Sequence, residues 1–464
     1  MPGRGRFGRM FPRLHPAKLS DAAIKALVTS MEERRGPDNP TIPAGYTYLA
    51  QFVDHDITFD PLSKLHDGNQ LRALANFRTP RFDLDSVYGS GPKDQPFLYD
   101  WSSERDPGVK LLVGASSGEG SITADLPRNQ QGRALIGDAR NDENLIVAQL
   151  HLLFIRFHNK VVDHVRAAEP GLGSDALFEK AQTLVRWHYQ WIVVHDLLRK
   201  VVGHHMAAAA HVRRDLYKPR RGPFIPIEFS AAAYRFGHSM VRNDYAPNGR
   251  LGRTVPIFAR SDNPGELDHL GGFRRLPVGL AIDWTFFYDL NDGKPASPER
   301  PQHSRKIDTA LATRLFQLPA SVSRKREALA LLNLKRGRAL GLPSGAAVAR
   351  AMHVDPLDEE HLLLDRLSAA VRKELLRAPP LWYYVLCEAE SELGDDGRHL
   401  GPVGGRIVAE VLTGLLEADP SSYLHAKKPW APTLPSATRG DFTMPDLVRF
   451  ALGQPPPDAL PPGR

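Results

Sequence analysis

Four stretches of the sequence hold side chains whose types and spacing suit chemistry. In Gln51-Phe52-Val53-Asp54-His55-Asp56, a helix would put Gln51 and His55 at i and i+4, on one face. The carboxylates flanking His55 would then diverge, one joining it at a site and the other facing away. In Arg78-Thr79-Pro80-Arg81-Phe82-Asp83-Leu84-Asp85-Ser86-Val87-Tyr88-Gly89, Thr79, Asp83 and Asp85 fall at alternating positions. An extended loop projects such a set to one side, as hard oxygen ligands for Ca²⁺, although the glycine and terminal glutamate of an EF-hand are missing. Gly137-Asp138-Ala139-Arg140-Asn141-Asp142-Glu143-Asn144 stands before an apolar run. There Asn141 or Asp142 can cap a helix, with Arg140 and Glu143 aimed at a ligand from its mouth. The fourth stretch is Tyr234-Arg235-Phe236-Gly237-His238, taken with Leu332-Asn333-Leu334-Lys335-Arg336-Gly337-Arg338. A histidine preceded by glycine on a buried helix has room for a flat ligand against its ring. Taken singly, each stretch has a plain structural reading as well: a polar helix end, a solvated turn, a capped helix start, a satisfied core histidine.

The elements that must position these groups are mostly helices. Ser20 can cap a helix with Ile24, Leu27, Val28 and Met31 on one face, ending before Gly36. Tyr46–Asp56 reads as a short helix, and 142–167 and 174–202 as long ones. Phe229–Val241, Asp308–Gln317, Lys325–Leu332, Glu359–Arg377, Leu381–Leu393 and Gly405–Glu417 follow. Residues 60–135 are rich in Gly, Pro, Asp and Ser, and loops of such length usually serve function. Strand signals are scarce. The sequence therefore predicts a mainly α fold: a single large domain over 21–453 with long irregular loops, between a flexible basic arm (1–20) and a Pro-rich tail (454–464).

Composition narrows the classes. A chain of 464 residues, 42% hydrophobic, can bury a core without staples. Its one cysteine, Cys387, excludes internal disulfides and Cys-rich metal sites. Of the net charge of +7, Arg4, Arg6, Arg9, Arg13 and Lys18 sit in the first 20 residues, where no acid occurs. The remainder is close to balanced, which argues against a nucleic-acid-binding domain. The arm lacks the apolar core of a secretory signal, and no run reaches ~18 apolar residues. The expectation is no membrane span, and a protein that is cytoplasmic or exported by an unconventional route.

Together the four stretches resemble the animal haem peroxidase (peroxidase–cyclooxygenase) superfamily, in its order from Tyr46 to about Gly341. The resemblance implies haem b and Ca²⁺ as cofactors. Gln51, His55 and Arg140 would be the distal glutamine, histidine and arginine that cleave peroxide, with Gln51 holding water or a halide. His238 would ligate the haem iron and Asn333 accept the other N–H of its ring. Arg235 and Arg336 would pair with the haem propionates. Asp54 and Glu143 match the carboxylates that form ester bonds to haem in mammalian members, so covalent attachment is permitted. Asn144 stands where one member carries a methionine sulfonium link, which excludes that third bond. Asp56, Thr79, Asp83 and Asp85 match side-chain calcium ligands, with Arg81 adding only its backbone carbonyl.

The implied activity is reduction of hydrogen peroxide, with oxidation of small aromatic donors or halides through a ferryl haem intermediate and a link to oxidative stress. The oxygenase branch carries a radical-forming tyrosine three residues before the proximal histidine. Here that position is Arg235, and Tyr234 is one residue off, which favours a peroxidase over a fatty-acid dioxygenase. A calcium-stabilised adhesion or scaffold protein of the same fold is a further alternative, opposed by the trio His55, Arg140 and His238. The secreted members are disulfide-rich and this chain cannot be, so a bacterial-type member is the closer expectation. A metal phosphohydrolase built from His55-Asp56 with His151, His158, His188 and His195, the last four as pairs at i and i+7, is a remote fourth reading.

Overall fold

The computed structural model describes residues 5–32, 37–59, 75–114, 125–219, 222–259, 261, 263–290, 300–320, 322–323 and 325–457. Helices dominate it. In chain order they are α1 (Asp21–Ser30), α2 (Gly45–Ile57), the single turn α3 (Asp85–Tyr88), α4 (Leu145–Ala168), α5 (Ser174–Trp191), α6 (Leu198–Val202), α7 (His204–Val212), the single turn α8 (Ile227–Ser230), α9 (Leu329–Ala339), α10 (Gly345–Ala351), α11 (Ala369–Arg377), α12 (Leu381–Glu390), α13 (Pro402–Ala418) and α14 (Met444–Ala451). The strands are short: β1 (Gly5–Gly8), β2 (Asp38–Pro43), β3 (Ala75–Asn76), β4 (Ile225–Pro226), β5 (Asp244–Tyr245), β6 (Val255–Pro256) and β7 (His303–Arg305). They form three small sheets, ordered β3-β1-β4, β2-β7 and β5-β6. The mainly α expectation therefore holds.

The central rod is α4, packed against α2, α5 and α14. Its apolar stripe is wide enough that Leu150, Leu153, Phe154 and Phe157 are all buried. Phe154 stacks on Phe52 of α2 at 4.6 Å between ring centroids. By length and hydropathy α4 could also cross a membrane, but most of it lies inside the protein, as a core helix does. Its N-cap is Asn144, whose side chain accepts from Val147 N, rather than Asn141 or Asp142. Asp142 is instead held by Arg128 at 2.7 and 2.8 Å.

Two details fix α2, which carries Gln51 and His55. At its start, a Cβ on Gly45 would lie 2.4 Å from the Tyr288 ring, so only glycine allows the helix to begin this close. Near its N-terminal end, the Tyr46 hydroxyl donates to Asp196 at 2.8 Å. Asp196 sits in a π-helical turn, Ile192–Leu197, that joins α5 to α6. It also accepts from Met444 N at 2.9 Å, so one carboxylate ties α2 to α14.

Several sequence expectations need correction. From Gly5 onward the basic arm is docked rather than flexible. β1 lies between β3 and β4, Met10 and Phe11 are buried, and the N–H groups of both donate to the buried carboxylate of Glu228, at 2.9 and 3.2 Å. Arg9 donates to the carbonyls of Leu340 and Gly341. A segment that places apolar side chains and paired N–H groups in the core belongs to the domain, whatever its charge. Of the Pro-rich tail, 458–464 lies outside the described residues.

Phe229–Val241 is not one helix. α8 stops at Ser230, whose carbonyl is taken by Arg235 Nε at 3.0 Å, and a 3-10 stretch over Ala233–His238 follows. Asp308–Gln317 is irregular apart from a 3-10 turn at Thr313–Phe316. There Asp308 bonds Ala310 N and Glu390 holds Thr309, so side chains compete with the helical ladder. The helix expected at Lys325–Leu332 begins later and runs over α9. Glu359–Arg377 becomes helical only from α11, after a left-handed residue at Leu363 with φ 53°. α7, α10 and α14 were not foreseen.

Candidate active site

Two cavities adjoin α2. The inner one, about 210 Å³, is lined by Gln51, Asp54, His55 and Glu143 on one side and by Tyr234, Arg235 and His238 on another. The outer one, about 320 Å³, is lined by Thr58, Phe59, Arg140, Arg235, Asn333 and Arg336, among others. Asp54, Ser230, Arg235 and Leu329 border both, so the two are adjoining parts of one recess. α2 thus presents Gln51 and His55 to the recess on one face, as the spacing predicts. The flanking carboxylates diverge as well, Asp54 into the recess and Asp56 away from it.

His55 is 6% exposed, and its Nδ1 lies 2.7 Å from Asn141 Oδ1. Burial, and then the Arg140 charge, push its pKa down to about 3, so the ring is neutral at ordinary pH. Gln51 donates to Glu143 through Nε2 and accepts from Asn144 at 3.4 Å. Burial raises Glu143 to about 7 and also raises Asp54, whose Oδ1 accepts from the Thr58 hydroxyl at 3.1 Å.

Arg140, the residue matched to the distal arginine, sits at the C-terminal end of α2. Its guanidinium lies 4.6 Å over the Phe59 ring and donates to the carbonyls of His55 and Thr58 at 2.9 and 2.7 Å. It also bonds Asp138. It lines the outer cavity because Asp138 and these two carbonyls claim its donors.

His238 faces the inner cavity. A Cβ on Gly237 would meet no atom within 4 Å, so there is open space beside the ring, as the glycine predicts. The Asn333 amide, however, is turned against expectation. Its Nδ2 lies 2.7 Å from His238 Nδ1, while its Oδ1 accepts from Arg235 NH1 at 2.9 Å. A guanidinium can only donate, so Arg235 claims the oxygen and leaves the ring nitrogen as the acceptor. Arg235 and Arg336 both line the outer cavity, a cationic wall suited to carboxylates.

The second group is acidic. Ligand oxygens of Asp56, Asp83 and Asp85 lie within 4.8 Å of one another, and the Thr79 hydroxyl donates to Asp83 at 2.6 Å. Asp56 Oδ1 is buried without a hydrogen bond of ordinary geometry. Burial, then the neighbouring carboxylates, raise Asp56. Burial raises Asp83 as well, and lifts Asp85 to about 7. Such a cluster of hard oxygens with an unanswered acceptor fits a divalent cation. The Arg81 side chain reaches away to Asp419 at 3.7 Å.

Sequence reasoning missed the connection between the two groups. Arg78 donates to Asp85 at 3.0 Å and to Asp138 Oδ2 through Nε at 3.2 Å, and Asp138 also receives Arg140. Burial works to raise Asp138, but Arg140 and Arg78 prevail and hold it below the carboxylate range. Asp138 and Arg78 lie inside the quoted motifs, each with a near partner in Arg140 and Asp85, but the link between them spans 60 residues, so nothing local marked it. Of the histidines in the phosphohydrolase reading, His158 lies between the Tyr88 hydroxyl and the Val109 carbonyl, His188 bonds the Leu184 carbonyl and His195 bonds Tyr423, while His151 is joined to His55 only through Asn141.

The family model for animal haem peroxidase matches residues 62–378. The chain belongs to the animal haem peroxidase family. The matched span holds Arg140, His238 and Asn333 and begins after α2, so Gln51 and His55 precede it. Thyroid peroxidase of Sus scrofa is 29% identical over 294 residues, covering 59% of this chain and 29% of that protein. Peroxidasin of Drosophila melanogaster is 26% identical over 388 residues, covering 78% and 24%. The chain thus spans less than a third of the length of these curated relatives. Among solved structures, peroxidase A of Dictyostelium discoideum superposes with a TM-score of 0.60 at 15% identity, covering 90% of this chain and 87% of that one. A fatty acid alpha-dioxygenase of Oryza sativa gives 0.59 at 17%, covering 88% and 74%. These superpositions bear on the haem peroxidase fold, which peroxidases and dioxygenases share.

Proposed function

We propose that this chain is a haem peroxidase that reduces hydrogen peroxide and oxidises small aromatic donors or halides. The observation that supports this most is the pairing of His55 and His238 around one recess, with open space beside Gly237. Haem, when bound, supplies the iron at which the peroxide O–O bond is broken. His238 would hold it, and Arg235 and Arg336 would receive its carboxylates, which requires Arg235 to release Asn333. The Asn333 amide can then turn its oxygen to the His238 Nδ1–H, leaving Nε2 for the metal. His55, neutral and bonded through Nδ1, keeps Nε2 to take the peroxide proton and return it to the departing oxygen. Asp54 and Glu143 border the recess and can take ester links.

The absorption spectrum of the chain with hemin, before and after acid–acetone extraction, tests this. A Soret band that extraction removes is the result expected for haem held by His238 alone, and a band that stays indicates esters through Asp54 or Glu143. No band after hemin addition overturns the reading.

A second reading, a fatty-acid dioxygenase, draws support from Tyr234. Despite its offset in sequence, its ring lines the inner cavity and its hydroxyl is buried without a partner. Oxygen uptake with linoleate in the absence of peroxide turnover would select it.

Calcium would bind at Asp56, Asp83, Asp85 and Thr79, with the Arg81 carbonyl as a further ligand. The pH trend separates bound from free chain. Asp85 has a folded-state pKa of about 7, above its unfolded value of about 3.9. Between these the unfolded chain loses the proton first, so without calcium this group's contribution to stability falls as pH rises from 4 to 7. Calcium needs the carboxylates ionised, so its protection grows over the same range. Thermal melts with Ca²⁺ and with EGTA should diverge more at pH 7.5 than at pH 5. Melts that coincide at pH 7.5 would refute the calcium assignment.

A further inference from the structure

Behind His55, the 3-10 turn Ala139–Asp142 and the helix α4 that follows it supply a polar pair, Asn141 and His151, that the proposed reaction does not use. Asn141 and His151 are both fully buried. The Asn141 amide bridges two imidazoles: Oδ1 lies 2.7 Å from His55 Nδ1, and Nδ2 lies 3.0 Å from His151 Nδ1. His151 Nε2 is buried with no partner, and the ring stands edge-on to Phe52 at 6.0 Å. The Asn141 backbone is fixed as well, its N–H donating to the Asp138 carbonyl at 3.1 Å.

The chemistry of the bridge is restrictive. An amide oxygen only accepts and an amide nitrogen only donates. His55 must therefore carry its proton on Nδ1, which leaves Nε2 as a lone pair toward the cavity. His151 must offer a lone pair at Nδ1, so its own proton is on Nε2. If the amide turned over, both rings would have to exchange tautomer together, and His55 would present an N–H to the cavity instead of a base.

We propose that His151, acting through the Asn141 amide, fixes the tautomer of His55, making both positioning residues for proton transfer. This rests on the reading of His55 as the base. Nothing in the bridge touches the cavity contents, so its effect is confined to which nitrogen of His55 is free.

The test uses the full chain labelled with ¹⁵N-histidine, where two-bond proton–nitrogen correlations report each ring's tautomer without reference to activity. The expected result is His55 protonated on Nδ1 in the parent chain, and a substantial Nε2–H population in both Asn141→Leu and His151→Phe. Asn141→Asp keeps an acceptor on His55 and should restore the Nδ1–H form. In hemin-loaded protein, the bimolecular rate with peroxide should fall roughly 10- to 100-fold in the first two variants, at or below the lower end of the roughly 10²- to 10⁴-fold contribution of a positioned acid–base group, with the KM for an aromatic donor unchanged. An Nε2–H tautomer in the parent, or an unchanged Nδ1–H form in both variants, overturns the proposal. Failure to take up hemin overturns the peroxidase reading instead and leaves the tautomer result to stand or fall by itself.

Discussion

Replacing His238 with alanine is expected to abolish specific hemin binding, and with it every haem-dependent activity, while the fold survives. Loss of a residue that merely orients a metal ligand costs about 10- to 100-fold in affinity, so loss of the ligand itself should weaken binding by at least on the order of a hundredfold. His238 sits in the 3-10 stretch before Ser239 and borders the cavity. Burial and the Arg235 charge hold it neutral, with a pKa of about 3. Removing it leaves no charge unpaired, and the far-ultraviolet dichroism and melting temperature should change little. Hemin titration followed at the Soret band is the measurement. Parent-like uptake and turnover in His238→Ala would remove the basis of the whole assignment.

The second large effect belongs to His55. The variant His55→Leu should bind hemin like the parent but react with peroxide about 10² to 10⁴ times more slowly, the usual contribution of a positioned acid–base group. Its pH behaviour is equally diagnostic. Because His55 is held near 3, the parent's rate with peroxide should show no inflection from this ring between pH 5 and 8. An exposed imidazole would give one near 6.5. Stopped-flow rates across that range decide it, and an inflection near 6.5 that disappears in His55→Leu would show that the ring is not buried as described.

Much of this site was legible in the sequence because its logic is local. The i, i+4 spacing of Gln51 and His55 survives as one face of α2, the alternation of Asp83 and Asp85 survives as a cluster, and Gly237 marks the open space beside His238. What could not be read depends on partners far apart in the chain. Arg235 was expected to pair with a haem propionate, but its reach to Ser230 and to Asn333, 98 residues away, turns the amide over. Asn141 looked like a helix cap, and only the fold brings His55 and His151 to either end of its amide. The arm illustrates the same limit: five positive charges suggested solvation, whereas Glu228, more than 200 residues downstream, holds its backbone in the core. Helix ends failed where side chains took over backbone bonds, as at Asp308 and Ser230.

The carboxylate of Asp138 is shared between Arg78, which also holds Asp85, and Arg140, which also holds the His55 carbonyl. With both ligands binding as proposed, that shared group makes the calcium loop and the haem recess thermodynamic partners. Whatever factor calcium contributes to the affinity for hemin, hemin must contribute the same factor to the affinity for calcium. The two titrations close a cycle, so the weaker interaction can be quantified from the stronger, and Asp138→Asn should shrink the common factor toward one from either side.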